Sequence, residues 1–303
     1  MTKMTDFQQK ISVFTTQCQL RFDEPMSKHT SFRIGGPAEV MAFPRNKEEL
    51  SEILKTAVFL DQKPIIMGAG TNILAPDAGV SGLVICLKDC LDGMEQLDDT
   101  HIRVAAGVTM TRAALFAMNL GLSGLEFAHG IPGTVGGGVY MNAGAYGGEI
   151  CQVCARVEVM DLTGNVCVLS GSEMDFSYRH SRLEDEGGIV ISADFELIPE
   201  PIEEIRNKIQ DFLGRRKSSQ PLDLPSAGSA FKRPVGGYAA ALIEQSGLKG
   251  YQVGGAAVST KHAGFVVNMG GATASDVRRL LQEVSDIVYN KTGIHLEPEI
   301  RIW

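Results

Sequence analysis

Two short segments of the chain hold residues whose types and spacing could do chemistry. Ser229 follows a glycine in "LPSAGSAFKRP" and lies close to Lys232 and Arg233, so its hydroxyl could act as a nucleophile beside positive charge. The GxSxG pattern is absent, however, and a serine in a Ser/Ala/Gly turn is usually structural. Glu297 and Glu299 alternate with apolar residues in "LEPEIR", which predicts a terminal strand with both carboxylates on one face. Such a pair usually marks a solvated face.

Two glycine-rich segments could hold a ligand against bare backbone. "GAGTN" (68–72) follows an apolar strand, where successive N–H groups of a tight turn can bind a diphosphate, although such a turn is more often structural. The fingerprint GxGxxG is absent here because position 73 is Ile, which disfavours a Rossmann fold. "HGIPGTVGGGVYMNAGAYGGEI" (129–150) is apolar between its glycines, unlike a flexible surface loop. We therefore predict a ligand loop whose backbone approaches a flat or phosphorylated ligand.

Composition and charge limit the classes of function. The 303 residues are 44% hydrophobic and 21% charged, which is typical of a globular chain of about two domains. We find no secretory signal and no apolar run of membrane length, so we expect a cytoplasmic protein with reduced cysteines. The net charge of −8 disfavours nucleic acid and membrane surfaces, and an anionic ligand would need local basic clusters such as 177–182 and 214–220. A CxxC pair, Cys151 and Cys154, and a CxxxC pair, Cys86 and Cys90, could together be four zinc ligands. The apolar, strand-like context of both pairs argues against a metal site.

A mixed set of helices and strands must position these segments. Hydrophobic periodicity predicts helices over 46–63, 111–121, 203–217, 238–250 and 273–293. Asn46 and Glu49 in the first of them, and Thr273 and Asp276 in the last, stand at capping distance. Strands are predicted over most of the remainder of 65–199, and two prolines mark a domain boundary near residue 200. The C-terminal tail is predicted to be a strand that pairs elsewhere, for example with the N-terminal sheet.

Several segments, taken in order, resemble the bacterial UDP-N-acetylenolpyruvoylglucosamine reductases, also called UDP-N-acetylmuramate dehydrogenases. They are "SFRIGGPAE", "GAGTN", "GLEFAHGIPGTVGGGVYMNAGAYGGEI", "YRHS", "PSAGSAFKRP", "GGAAVSTKHAGFVVN" and "LEPEIR". The similarity runs from about residue 25 to the end, and the chain length resembles the shorter (type II) class of the family. The resemblance implies an α+β protein with a vanillyl-alcohol-oxidase-type (PCMH-type) FAD-binding fold of two subdomains and a C-terminal α+β substrate-binding domain. The expected subdomains are 1–68 completed by 296–303, and 69–200, followed by the substrate domain 201–295.

The resemblance also implies a flavoenzyme of peptidoglycan precursor synthesis. It would use NADPH to reduce the enolpyruvyl ether of UDP-N-acetylglucosamine to UDP-N-acetylmuramate, with hydride from N5 of reduced FAD. By position in the family's motifs, Arg179 and Glu299 would polarise the substrate carboxylate and stabilise the intermediate, and Ser229 would give a proton to the α-carbon. NADPH and the enolpyruvyl sugar would occupy one shared site in turn. No metal, nucleic acid or membrane is expected to take part.

The same resemblance assigns binding residues. The residues expected to bind FAD are Gly68, Ala69, Gly70, Thr71, Asn72, Gly133, Thr134, Val135, Gly136, Gly137, Asn142, Ala143, Gly144 and Gly147. Those expected to bind the UDP-sugar and to supply local positive charge are Tyr178, Lys217, Lys232, Arg233 and His262. The stretch "GAGTNILAPDAG" contains no histidine, so FAD is expected to be non-covalent. The alternatives are an oxidase on the same flavin fold, a non-catalytic nucleotide-sugar binding protein and, third, a nicotinamide Rossmann dehydrogenase.

Overall fold

The computed structural model describes residues 4–15 and 17–303, in which helices and strands alternate along the chain. The α-helices are α1 (Asp6–Phe14), α2 (Lys47–Phe59), α3 (Met110–Asn119), α4 (Val135–Tyr140), α5 (Arg182–Glu186), α6 (Ile202–Ser219), α7 (Ala239–Gln245) and α8 (Ala274–Thr292). The strands are β1 (Gln19–Pro25), β2 (Pro37–Phe43), β3 (Ile65–Met67), β4 (Ile73–Leu74), β5 (Val80–Cys86), β6 (Met94–Gln96), β7 (His101–Ala105), β8 (Leu122–Ser123), β9 (Gly144–Ala145), β10 (Gly148–Glu149), β11 (Cys154–Met160), β12 (Val166–Ser170), β13 (Ile189–Glu196), β14 (Ile198–Pro199), β15 (Ser226–Ser229), β16 (Gln252–Val253), β17 (Ala256–Val258), β18 (Phe265–Asn268) and β19 (Arg301–Ile302).

The predicted helices are confirmed, with shorter ends in several cases. The side chain of Asn46 accepts a hydrogen bond from the Glu49 N–H at 2.9 Å and begins α2. Thr273 and Asp276 form the expected capping box of α8, whose C-terminus is closed by Gly293 in left-handed conformation. Periodicity predicts these elements well because each helix buries one apolar face.

The chain divides into two compact units, of which the first contains the residues through Phe22, then Glu39–Ala69 and Gly82–Arg215. Its larger sheet is antiparallel, with strand order β12-β11-β13-β7-β6, and α4 begins where the backbone N–H groups of Val135 and Gly136 bond to the residues after β7. A four-stranded sheet has the order β1-β2-β5-β3, and α2 buries Leu50 and Ile53 in the apolar cluster that includes residues of this sheet.

The second unit contains Asp23–Ala38, Gly70–Ser81 and Arg216–Trp303. Its four-stranded sheet has the order β15-β18-β17-β16, and α8 packs its apolar face into a core that includes Phe32, Leu74 and Ile300. The Asp77 carboxylate accepts hydrogen bonds from the first N–H groups of α8, those of Ala274 (2.6 Å) and Ser275 (2.9 Å). The carboxylate thereby satisfies backbone donors that a helix N-terminus leaves without partners.

Two local expectations differ from the structure. The glycine-rich segment is not a loop throughout, because its residues 135–140 form α4, which begins at the Thr134 cap. The terminal strand β19 pairs in parallel with β4, outside residues 1–68. Ile300 and Leu74 are buried in the same apolar cluster, and the Arg301 N–H bonds to the Asn72 carbonyl. The subdomain and domain boundaries given above stay predictions.

Candidate functional site

In the first unit, Gly68 at the start of one glycine-rich segment lies against Thr134 of the other. A Cβ on Gly68 would lie 2.8 Å from Oγ1 of Thr134, the residue that caps α4. Beyond α4, β9 and β10 form a hairpin whose two-residue tip, Tyr146–Gly147, has positive φ at both positions (55° and 89°). This is the backbone of a type I′ turn, which glycine favours. The ring of Tyr146 stacks on that of Phe212, with the ring centroids 4.8 Å apart.

The glycines of this segment are of two kinds. A Cβ on Gly136 would lie 2.9 Å from the Ala106 Cβ, and one on Gly144 would lie 2.7 Å from the Gly148 carbonyl oxygen, so protein packing alone excludes their side chains. Gly137 is exposed, and a Cβ there would meet only Thr134 Oγ1, at 3.7 Å. A Cβ on Gly147 would meet nothing within 4 Å. At the open positions the bare backbone is accessible to a flat or phosphorylated cofactor. At the packed positions, contacts within the protein are enough to require glycine.

Arg179 lies on a tight hairpin of the first unit. Ser177 and His180 exchange backbone hydrogen bonds of 3.1 and 3.2 Å, and Arg179 at the tip has a φ of 58°. Its guanidinium donates to the Gly144 carbonyl at 3.1 Å and lies 4.9 Å from the centroid of the half-exposed Tyr178 ring. The predicted catalytic arginine is thus in contact with a predicted cofactor residue.

Ser229 and Glu299 are brought together in the second unit by backbone pairing. Ser229 is exposed at the end of β15, and the carbonyl of the next residue, Ala230, accepts a 2.9 Å hydrogen bond from the Glu299 N–H. The Asn72 amide donates to the Glu299 carbonyl at 3.3 Å. A serine hydroxyl and a carboxylate therefore project from neighbouring segments, next to the end of the first glycine-rich turn.

Sequence reasoning missed Ser31, which lies in the second unit inside "SFRIGGPAE". The Ser31 hydroxyl donates to the Ser226 carbonyl at 2.6 Å, and its N–H donates to the Gly70 carbonyl at 3.0 Å. Ser31 thereby links the strand that carries Ser229 to the glycine turn. This segment is one of the motifs that carry the family resemblance, but the spacing of its residues does not predict the contacts of Ser31.

The basic residues expected to bind the UDP-sugar are found in several settings. Lys232 pairs with Glu297 on the neighbouring segment, with Nζ 2.5 Å from the carboxylate. The guanidinium of Arg233 lies 4.4 Å from the Tyr238 ring centroid. Lys217 is exposed near the end of α6, and its carbonyl accepts a hydrogen bond from Lys261. Their contacts with substrate stay predictions.

His262 is less suited to supply charge than the sequence suggested. Burial lowers the pKa of its ring, and Nδ1 accepts a 3.1 Å hydrogen bond from the Gly264 N–H. A ring that accepts at Nδ1 is neutral and carries its proton on Nε2. Any contact between His262 and a ligand would thus be a hydrogen bond rather than an ion pair.

The six cysteines are free thiols, and Cys151 and Cys154 differ in environment. Cys151 is exposed, whereas Cys154 is buried and burial raises its pKa to about 12. Among residues 4–15 and 17–303, no group of three or more His, Cys, Asp or Glu side chains could hold a metal ion. Within the same residues, none of the helices has the length and apolar character needed to cross a membrane.

Family models match both parts of the chain. The FAD binding domain matches residues 38–170, and the C-terminal domain of UDP-N-acetylenolpyruvoylglucosamine reductase matches residues 220–303. A UDP-N-acetylenolpyruvoylglucosamine reductase of Caldanaerobacter subterraneus is 45% identical over 296 residues, which cover 97% of this chain and 96% of the relative. The protein of that name in Clostridioides difficile is 44% identical over 283 residues, with 93% of each chain covered.

A solved structure agrees with these relatives. The crystal structure of UDP-N-acetylenolpyruvylglucosamine reductase from Thermus caldophilus aligns with a TM-score of 0.78 and 34% identity, covering 95% of this chain and 99% of that one. The matches confirm the predicted fold class: a PCMH-type FAD-binding fold followed by a C-terminal α+β domain.

Proposed function

The chain belongs to the UDP-N-acetylenolpyruvoylglucosamine reductases, FAD-containing oxidoreductases of peptidoglycan precursor synthesis, and we propose that it takes its electrons from NADPH. The substrate is the enolpyruvyl ether of UDP-N-acetylglucosamine, and the product is UDP-N-acetylmuramate. The observation that carries the catalytic part of the proposal is the pairing of the Ser229 strand with the Glu299 segment in the second unit. This pairing gives the substrate a hydroxyl and a carboxylate from one fixed piece of backbone.

The glycine-rich turns of the chain fit FAD held without a covalent bond. Gly137 and Gly147 leave open space at their Cα atoms, and Gly68–Asn72, Gly133–Gly137 and Asn142–Gly144 supply the rest of the backbone proposed to contact it. When bound, FAD would accept hydride from NADPH and supply it to the vinyl carbon of the substrate. The residues of this chain must then bind the substrate, stabilise the developing charge and deliver a proton.

Addition of hydride at the vinyl end leaves negative charge on the α-carbon and, by delocalisation, on the substrate carboxylate. We assign Arg179 and, by its place in the family's motif, Glu299 to that carboxylate, since a guanidinium forms charge-assisted hydrogen bonds with carboxylates. Ser229 would give its hydroxyl proton to the α-carbon. A serine is a weak acid, so it can act only toward a strongly basic carbon, and the ammonium of Lys232 on the same segment would favour the resulting alkoxide.

Binding of an anionic nucleotide sugar to a chain of net charge −8 requires local cations. Lys217, Lys232 and Arg233, with Tyr178 and the neutral His262 as hydrogen-bonding partners, are the residues proposed for this role. Because the chain has no separate nicotinamide fingerprint, NADPH and the enolpyruvyl sugar are proposed to occupy one site in turn. Ping-pong kinetics follow from this arrangement.

Stopped-flow measurement of the two half-reactions tests the proposal. Ser229→Ala should leave the bleaching of the flavin by NADPH unchanged and slow its reoxidation by the enolpyruvyl sugar by about 10²- to 10⁴-fold, the usual range for a lost general acid. Glu299→Ala should likewise leave flavin reduction unchanged and slow reoxidation. Ser275→Ala, which alters an exposed serine in the first turn of α8, is the matched control and should change neither half. Equal losses in both half-reactions of Ser229→Ala would rule out the proton-donor role.

A further inference from the structure

The side chain of Asn142 is enclosed by protein, although the residue lies in the segment predicted to bind FAD. Asn142 is 1% exposed and has a φ of 40°. Its Nδ2 donates to the Glu149 carboxylate at 3.0 Å and to the Ser177 carbonyl at 2.9 Å. Its Oδ1 accepts from the Cys151 N–H at 2.9 Å. Both donors and the acceptor of the carboxamide are thus used within the protein, which leaves only its backbone for a cofactor.

One of these bonds reaches the hairpin that carries Arg179. Ser177 immediately precedes the two-residue turn Tyr178–Arg179, and its carbonyl also accepts from the His180 N–H. The Arg179 guanidinium in turn donates to Gly144, two residues after Asn142. The hairpin is therefore held to the 142–144 segment at two points, its base through Asn142 and its tip through Arg179. If the base moves, the guanidinium moves with it.

We propose that Asn142 is a positioning residue for the reduction, whose carboxamide holds the Ser177–His180 hairpin and thereby fixes the guanidinium of Arg179. The inference rests on the proposed role of Arg179 at the substrate carboxylate. It differs from a role in cofactor binding, because the atoms that do the holding face the hairpin and the turn at 149–151. Asn142 acts through Arg179 and does not touch the reacting atoms.

The chemistry of the site requires an asparagine. Position 142 needs a left-handed backbone, which Asn and Asp adopt more readily than other non-glycine residues. It also needs two N–H donors, one for a carbonyl and one for a carboxylate, which Asp lacks. Asn142→Asp therefore keeps the shape, the backbone preference and the acceptor for Cys151, but it loses the bond to Ser177 and places a second carboxylate beside Glu149.

The experiment uses FAD-loaded Asn142→Asp enzyme and both half-reactions. We expect reoxidation by the enolpyruvyl sugar to slow by about 10- to 100-fold, the effect of a catalytic group displaced by about 1 Å. Flavin content, visible spectrum and the rate of reduction by NADPH should stay within about twofold of the parent enzyme. An equal loss in both half-reactions, or loss of FAD, would assign Asn142 to cofactor binding and overturn the proposal.

A double-mutant cycle separates positioning from a general structural role. In an Arg179→Ala background, Asn142→Asp should add little further loss of reoxidation rate, because there is no guanidinium left to position. Additive losses would overturn the inference. If Arg179→Ala itself leaves reoxidation unchanged, the proposed role of Arg179 fails and this inference fails with it. If Arg179→Ala slows reoxidation and Asn142→Asp does not, only the inference fails.

A second variant covers the case in which Asn142→Asp does not fold. Asn142→Asp combined with Glu149→Gln removes the carboxylate pair and restores a donor–acceptor contact between the two side chains, but not the bond to Ser177. We expect it to fold and to remain slow in reoxidation, and a normal rate would show that the Ser177 bond is dispensable. Asn268→Asp is the matched control, since Asn268 is also buried and donates Nδ2 to a backbone carbonyl, that of Phe32. Asn268→Asp should lower the stability of the protein but should not slow reoxidation selectively relative to flavin reduction.

Discussion

Two adjacent glycines of α4 allow the packing role of glycine to be separated from its proposed cofactor role. Gly136 and Gly137 both have ordinary helical backbone, so alanine at either position should gain the helix propensity of about 1 kcal/mol. At Gly136 the new methyl would lie 2.9 Å from the Ala106 Cβ and 3.2 Å from the Ala106 carbonyl oxygen, a neighbour with no flexible side chain to move away. At Gly137 the nearest atom is Thr134 Oγ1, at an ordinary contact distance of 3.7 Å.

In the protein stripped of FAD, the two substitutions should therefore change the free energy of unfolding in opposite directions. Overpacking costs about 1–3 kcal/mol, so Gly136→Ala should be destabilised by about 1 kcal/mol after the propensity gain. Gly137→Ala should be stabilised by up to about 1 kcal/mol. In a chain of this size each kcal/mol corresponds to about 2 °C in melting temperature. The two variants should therefore melt on opposite sides of the parent protein.

Added FAD should narrow the difference in melting temperature between the two variants. If Gly137 contacts the cofactor, a methyl there weakens binding, and each tenfold rise in Kd removes about 1.4 kcal/mol of the stabilisation that saturating FAD confers. Melting temperature is measured against FAD concentration for the parent and both variants. Gly136→Ala should keep the full FAD-dependent increase, whereas Gly137→Ala should lose part of it. Equal increases in both variants would refute the assignment of Gly137 to the cofactor site.

Two further predictions concern titratable groups. In the folded protein at pH 7.5, an alkylating reagent should modify the exposed Cys167 and then the exposed Cys151. Burial raises the pKa of the Cys151 thiol, so its reaction should become faster as the pH rises. Cys154, with a pKa of about 12, should react only after unfolding, and peptide mass spectrometry that finds it modified earlier would contradict its burial. Hydrogen bonds, above all from the Thr163 hydroxyl, lower the pKa of Asp161 from 3.8 to about 2, so its stabilisation is present above about pH 4 and is lost as the pH falls toward 2. Asp161→Asn should therefore flatten the fall in urea midpoint between pH 4 and 2, and an unchanged slope would disprove this linkage.

The elements that bury one apolar face could be predicted from the sequence, and the glycine-rich helix could not. Helices α2 and α8 follow from periodicity and caps, since local pattern and packing agree there. Helix α4 contains three consecutive glycines, each of which lowers helix propensity, and it forms because its N-terminus is bonded to the backbone at Ala106 and Val108. Those contacts come from distant sequence, so no local pattern could indicate them.

The catalytic candidates could be named from family motifs, but their mutual arrangement depends on long-range backbone pairing. Nothing near Ser229 in sequence indicates that the next carbonyl bonds to the N–H of Glu299, and nothing near Arg179 indicates its bond to Gly144. Spacing alone therefore does not indicate which of the two carboxylates in "LEPEIR" is catalytic. The resemblance selected Glu299, and the structure supplies the pairing that such a role requires.

The way in which each candidate is held determines what a substitution there can reveal. Ser229 and Glu299 lie on segments fixed by main-chain hydrogen bonds, which survive when a side chain is truncated, so loss of activity at these positions reports chemistry rather than unfolding. Asn142 is the opposite case, since its side chain fixes the main chain of another segment. Substitution of Asn142 is expected to displace the Ser177–His180 hairpin, and the reoxidation rate changes as a consequence. For that reason the two half-reaction rates of one truncated variant suffice to test Ser229, whereas Asn142 requires the isosteric variant, the double-mutant cycle and the Asn268 control.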